Sequence, residues 1–226
     1  MPKIANNLNK VNQLISDACK RVGRVASDVK IIAVTKSATP TEIRELLQCE
    51  KFELGESRVQ DALSKSALLN QDLTWHLIGR LQSNKINRAL ELFSYIHSLD
   101  QISHAKQIDK RAGEKEIIVS CFVQVNISEE TTKGGVTVSQ LNPFIKELAE
   151  LRNIRIVGLM TMAPHYDNPE FARPIFHRLK ELQEELNEKG LLSYRLNELS
   201  MGMSNDFEIA IEEGATCVRL GSILFN

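Results

Sequence analysis

The 226-residue chain is poor in aromatic residues, at 5%, and its four cysteines and five histidines form no metal or redox motif. Cys19, Cys49, Cys121 and Cys217 are far apart and make no CxxC pair, so neither a zinc site nor a dithiol centre is indicated. They read as small core residues of a reduced protein. His76, His97, His104, His165 and His177 are dispersed and show no HExxH, which argues against a metal. With a net charge of −1 and no Lys/Arg-rich stripe, a nucleic-acid role has little support. No apolar stretch approaches the ~18 residues of a membrane span, and the segment from Met1 to Leu8 lacks the apolar core of a secretory signal. The expectation is a cytoplasmic protein. No GxGxxG follows the first apolar strand, which lowers the odds of a dinucleotide site.

What is present is regular. Apolar, β-rich runs begin near Ile31, Phe52, Thr74, Tyr95, Ile117, Ile154, Leu196 and Cys217, at offsets of 21 or 22 residues except for two of 37 and 42. Between them lie helical patterns with caps. Thr39-Pro40-Thr41-Glu42 has the form of a capping box with proline at the first helical position, and Ser57-Arg58-Val59-Gln60 has a similar start. Phe171, Ile175, Leu179, Leu182 and Leu186 form a stripe ended by Gly190. Parallel strands require crossovers of about a dozen residues, and closure removes both sheet edges, so a (β/α)8 TIM-type barrel is favoured over an open doubly wound sheet. One domain spanning residues 1–226 is expected. A leading helix with Ile4, Leu8, Val11, Ile15, Ala18 and Val22 on one stripe precedes the first strand, and it stands where an eighth helix would otherwise complete the wall.

If the barrel is right, the strand exits share one mouth, where sites of this fold are built. Lys36 closes the run Ile31-Ile32-Ala33-Val34-Thr35-Lys36. It is either a lysine snorkelling to water or an amine set for Schiff-base chemistry. The last two exits, Ser200-Met201-Gly202-Met203-Ser204-Asn205 and Arg219-Leu220-Gly221-Ser222, suit a phosphate: Gly202 allows close backbone approach, Ser204 is placed to cap a helix from Asn205, and Gly221-Ser222 offers N–H groups and a hydroxyl. Asp206 and Glu208 in the same turn would repel a dianion. Arg219 lies in the apolar Val218-Arg219-Leu220 and needs an acceptor, whether a ligand or an acid at the barrel rim.

Taken in order, Ala33-Val34-Thr35-Lys36, Leu54-Gly55-Glu56, Trp75-His76-Leu77-Ile78-Gly79, Leu81-Gln82-Ser83-Asn84-Lys85, His97-Ser98-Leu99-Asp100, Gln124-Val125-Asn126-Ile127, Gly158-Leu159-Met160-Thr161-Met162, Leu199-Ser200-Met201-Gly202-Met203-Ser204 and Val218-Arg219-Leu220-Gly221-Ser222 resemble the pyridoxal phosphate homeostasis protein family over nearly the whole chain. The resemblance implies an alanine-racemase-like barrel with pyridoxal 5'-phosphate bound covalently as a Schiff base on Lys36. It also implies a phosphate held by Ser204, Gly221 and Ser222, Arg219 at the pyridine nitrogen, and Met203 completing the cofactor-binding set. An arginine there makes the ring a weak electron sink, which disfavours broad carbanion chemistry. The implied role is intracellular cofactor homeostasis without efficient catalysis, serving pyridoxal phosphate-dependent apoenzymes; no exposed heptad or large apolar patch announces a partner surface, so a monomer is expected. The alternative is a low-activity amino-acid racemase, set back because alanine racemases draw their second acid/base from an added domain and dimer partner. A Schiff-base aldolase or phosphosugar enzyme is a third reading. The chain departs from the family at Ser57, where asparagine is usual, at Arg80, where histidine is frequent, and at Ser222, where threonine is common.

Overall fold

A computed structural model describes residues 3–128, 130 and 134–226; Met1 and Pro2, part of the leading segment read for a signal, lie outside them. Among the described residues the strands are β1 (Lys30–Val34), β2 (Glu53–Glu56), β3 (Trp75–Leu77), β4 (Phe93–Leu99), β5 (Val119–Asn126), β6 (Val136–Thr137), β7 (Ile154–Met160), β8 (Glu198–Met203) and β9 (Cys217–Leu220). All pairings are parallel. They run β4-β3-β2-β1-β9-β8-β7-β5 and close through β4–β5, where Tyr95 faces Ser120 and Ile96 faces Cys121. The expected eight-stranded barrel is therefore present. The two-residue β6 is an addition outside the ring, paired only to β5 through Val125–Val136 and Asn126–Thr137.

The helices are α1 (Lys3–Arg21), α2 (Pro40–Cys49), α3 (Val59–Leu69), α4 (Ile86–Ala89), α5 (Ile102–Glu114), α6 (Val138–Leu148), α7 (Arg173–Lys189), α8 (Phe207–Glu212) and α9 (Ser222–Phe225). The α2 start is the expected capping box: the Thr39 side chain accepts from the Glu42 N–H, and Glu42 accepts from the Thr39 N–H. At α3 the cap residue is Arg58, no side chain caps the helix, and the Ser57 N–H donates to Glu56 Oε2 instead. The α1 stripe buries Ile4, Leu8, Val11, Ile15 and Ala18 as read, with Cys19 taking the place expected of the exposed Val22. This helix packs on α2, α8 and α9, and the Asn7 amide donates to the carbonyls of Leu224 and Asn226, so it does fill the gap in the helical wall. On α7, Phe171 precedes the helix and is 63% exposed; Ile175, Phe176, Leu179, Leu182 and Leu186 face the core, and Gly190 ends the helix at φ 60°. Cys49 is exposed, unlike the other three thiols.

Alternation along each strand makes two cores. Outward residues such as Ala33, Leu54, Trp75, Leu77, Ile96 and Leu159 join the helices in one large apolar cluster. Ile32, Phe122, Met160 and Cys217 point inward as a separate plug. Burial on both faces explains why the strands read as unbroken apolar runs.

Candidate functional site

The strand exits surround a cavity of about 580 Å³. Lys36, Met203, Ser204, Arg219, Gly221 and Ser222 all line it, together with Ser57, Arg80, Asp100, Gln124 and His165. Lys36 sits in the turn after β1 and is exposed to the cavity rather than buried. The turn itself is firmly held. The Thr35 N–H and hydroxyl both donate to the Gly55 carbonyl, at 2.9 and 3.2 Å, and the Thr35 carbonyl accepts from Ala38 N–H and from Lys65 Nζ. Lys65 is fixed in turn by the fully buried Glu56, 2.7 Å away. The Lys36 side chain has no hydrogen-bond or ion-pair partner among the described residues, so a rigid base presents an unengaged amine to the cavity.

Across the mouth, Ser204 does not cap α8, the helix that follows it in sequence. Its hydroxyl oxygen accepts from the N–H groups of Gly221 (3.3 Å) and Ile223 (3.4 Å), joining the β8 exit to the first turn of α9. The helix α8 starts two residues later than read, behind Asp206. Asp206 Oδ1 accepts from the Met203 N–H at 2.6 Å, and burial pushes its carboxyl above the usual range. Glu208 turns outward to Arg21 of α1 at 2.9 Å. The two acids that seemed hostile to an anion are thus engaged elsewhere. Gly202, at φ +90°, serves α8 rather than a ligand: a Cβ there would meet Ala210 Cβ at 2.6 Å. The Ser222 hydroxyl is exposed in the cavity and unpartnered among the described residues.

Arg219 is 4% exposed, and burial lowers its guanidinium to about 10. It donates from Nη1 to Ser200 Oγ at 2.6 Å and from Nη2 to the Thr161 carbonyl at 2.9 Å. No carboxylate forms a salt bridge with it among the described residues, so the rim ion pair considered from sequence is not the answer. The polar lining of the mouth thus combines the basic side chains Lys36, Arg80 and Arg219 with hydroxyls, backbone N–H donors and the Asp100 carboxylate, which accepts from the Gly135 N–H. An amine, an anion cradle and a planar cation within one cavity fit a phosphorylated aldehyde carrying a ring nitrogen.

Gln124 and His165 also line this mouth, and the sequence did not mark either as a site residue. Asn126 is buried, with its amide on the Glu130 carbonyl. The even positions of β5 face inward, and that alternation was the available signal for Gln124.

The alanine racemase N-terminal domain family matches residues 4–226. The pyridoxal phosphate homeostasis protein of Aquifex aeolicus is 44% identical over 97% of this chain and 96% of its own length. That of Synechocystis is 39% identical over 91% and 94%. Among solved structures, PipY of Synechococcus elongatus, determined with PLP bound, is 35% identical with a TM-score of 0.87 over 99% of this chain and all of its own. An alanine racemase of Clostridium difficile, 19% identical with a TM-score of 0.76 over 99% of this chain and 56% of its own, shares the fold. With an alanine racemase N-terminal-type barrel, full-length relatives of one name and these residues at one mouth, the chain belongs to the pyridoxal phosphate homeostasis protein family.

Proposed function

We propose that this chain, as one barrel domain over residues 1–226, binds pyridoxal 5'-phosphate covalently at Lys36 and serves cofactor homeostasis in the cytoplasm without efficient catalysis. The observation that carries the proposal is the Lys36 amine, unpartnered among the described residues, in a cavity of about 580 Å³ that Ser204, Gly221 and Ser222 also line. Bound there, the cofactor supplies an aldehyde to the amine and an electron-poor ring. Lys36 is the tether, presented by the clamped Thr35 turn. Ser204, Gly221 and Ser222 would hold the phosphate, with the Ile223 N–H beside them; the Ser204 oxygen accepts from the Gly221 and Ile223 N–H groups, which leaves its own hydroxyl hydrogen to donate. Arg219 would face the ring nitrogen and, as a cation, would disfavour its protonation, withholding the electron sink that racemisation needs. Met203 lines the mouth beside Ser204; its backbone N–H is already held by Asp206. Arg80 adds a further positive charge for the phosphate.

Acting as a monomer, the protein would pass the cofactor to apoenzymes that depend on it. The test is borohydride reduction of the loaded protein followed by peptide mass analysis. A pyridoxyl adduct on the peptide containing Lys36, absent in Lys36→Ala, is expected. Absence of that adduct overturns the proposal, and fast Lys36-dependent racemisation of an L-amino acid overturns the non-catalytic part of it.

A further inference from the structure

The barrel axis holds a second constellation that the site does not account for. From Arg219 at the upper mouth, Nη1 reaches Ser200 Oγ at 2.6 Å, Ser200 Oγ reaches His97 Nδ1 at 2.8 Å, His97 Nε2 reaches His76 Nδ1 at 2.9 Å, and His76 Nε2 reaches Glu53 Oε2 at 2.7 Å. Lys30 Nζ closes the series 3.1 Å from the same Glu53 oxygen. Glu53 and Lys30 line a separate cavity of about 320 Å³ at the lower end of the barrel. The column therefore runs from one mouth to the other through β9, β8, β4 and β3 and ends on the first residues of β2 and β1.

Its two ends dictate its direction. A guanidinium can only donate, so Ser200 accepts from Arg219, and the single hydroxyl hydrogen of Ser200 must go to His97 Nδ1. A carboxylate can only accept, so His76 Nε2 carries a hydrogen for Glu53. With both rings neutral, His76 Nδ1 accepts from His97 Nε2–H, and every polar atom in the column is satisfied. No other assignment achieves this. If either ring takes a second proton, donors meet head to head or, where His97 carries a hydrogen on Nδ1, Ser200, fully buried with no other partner for its hydroxyl among the described residues, loses its acceptor.

The surroundings favour the neutral pair. Burial holds both rings below the ordinary histidine value, His97 well below, and the His76 hydrogen bond draws Glu53 down to about 2. His76 stacks on Tyr95 at 4.4 Å between centroids, and His97 on Phe122 at 4.2 Å. The remaining ionisable groups facing the column are Lys30, Tyr95, Glu198 and Cys217 at its lower end and Asp206 near Arg219.

We propose that Glu53, His76, His97 and Ser200 are positioning residues for Arg219, forming a one-way hydrogen-bond column that carries the charge state of the lower barrel mouth to the guanidinium at the upper one. The column needs no ligand; its role rests on the reading of Arg219 as the group that faces the cofactor ring. A negative Glu53 makes each acceptor above it stronger, so Ser200 offsets part of the Arg219 charge. Removing the carboxylate leaves the guanidinium more strongly positive toward the ring.

Two measurements test this. Proton–nitrogen correlation spectra of the histidine rings in the full, cofactor-free chain should show both His76 and His97 neutral with the hydrogen on Nε2 at neutral pH. A charged ring, or a hydrogen on Nδ1 of either, overturns the column. In the loaded protein, Glu53→Gln should move the pH midpoint of the cofactor's visible band downward by about half a unit or more, a modest charge effect. In a Ser200→Ala background the same substitution should move it by less than half as much, because the link is cut. Equal shifts in the two backgrounds, or no shift, overturn the proposal. The Lys36 adduct separates the two readings: with the adduct present and equal shifts, only the column's role falls. Without the adduct that role falls with the cofactor assignment, while the ring spectra still decide whether the column exists.

Discussion

Between strands and helices the barrel buries Leu54, Trp75, Leu77, Ile96, Ile108 and Leu159 at no measurable exposure, and the only polar atom among those side chains, the Trp75 indole N–H, has no partner among the described residues. Along the axis it buries His76, His97, Ser200 and Arg219 at 4% or less, each held by directional hydrogen bonds on both sides. The outer layer gains from the area it removes from water and has no preferred direction. The axial column depends on geometry: each member is useful only while its neighbours donate and accept in the right order.

The sharpest contrast is between one deletion in each layer. Leu54→Ala, in the outer layer, should cost about 3 kcal/mol by urea denaturation through lost burial and the cavity left behind. His97→Leu keeps the volume but strands the Ser200 hydroxyl and His76 Nδ1, at a cost of about 2 kcal/mol. If His97→Leu proves neutral, the column does not hold together as the distances indicate.

Acid separates the layers further. His76 and His97 stay neutral in the folded chain below pH 6.5, where the unfolded chain protonates both. Stability is therefore complete above about pH 6.5 and falls on acidification, by up to about 1.4 kcal/mol per pH unit for each ring. Glu53, depressed to about 2 chiefly by its His76 hydrogen bond, extends the loss into the window from its ordinary value near 4.5 down to about 2. Unfolding between pH 7.5 and 5.5 should show this slope in Leu54→Ala unchanged and in His97→Leu reduced by about half. An equal slope in the two variants would assign the acid sensitivity to other groups.

The two layers were also unequally legible. Outward apolar positions repeat every second residue of a strand, and the regular strand spacing marks the barrel, so the fold and the exits of β1, β8 and β9 could be read from local pattern. The Thr39 box was legible because every partner lies within four residues. The column was not, since His97 and Ser200 are 103 positions apart and meet only once the barrel closes. Ser204 failed for a related reason: a serine ahead of an apolar run reads as a cap, but its hydroxyl is taken by N–H groups 17 and 19 residues on. Val22 and Phe171 continue their helical stripes past the point where the helix ends or begins, so periodicity alone could not tell that they face solvent.

The cysteines give the gentlest probe of the same division. Cys121 lies opposite Ile96 in the outer layer, where burial raises its thiol far above the ordinary value; Cys217 lies in the axial plug, raised to about 12 by burial and then by Glu198. Cys19 is buried on α1 and also raised, whereas Cys49 is exposed on α2. Thiolate is the reactive form, so iodoacetamide at mildly alkaline pH should label Cys49 alone in the folded chain and all four thiols in urea. Cys49→Ser should leave stability within about 0.5 kcal/mol of the parent, since its loss opens no cavity. Labelling of Cys217 in the folded chain before Cys121 would mean that the axis opens to solvent more readily than the outer layer. In that event the polar column, not the apolar shell, is where the barrel first yields.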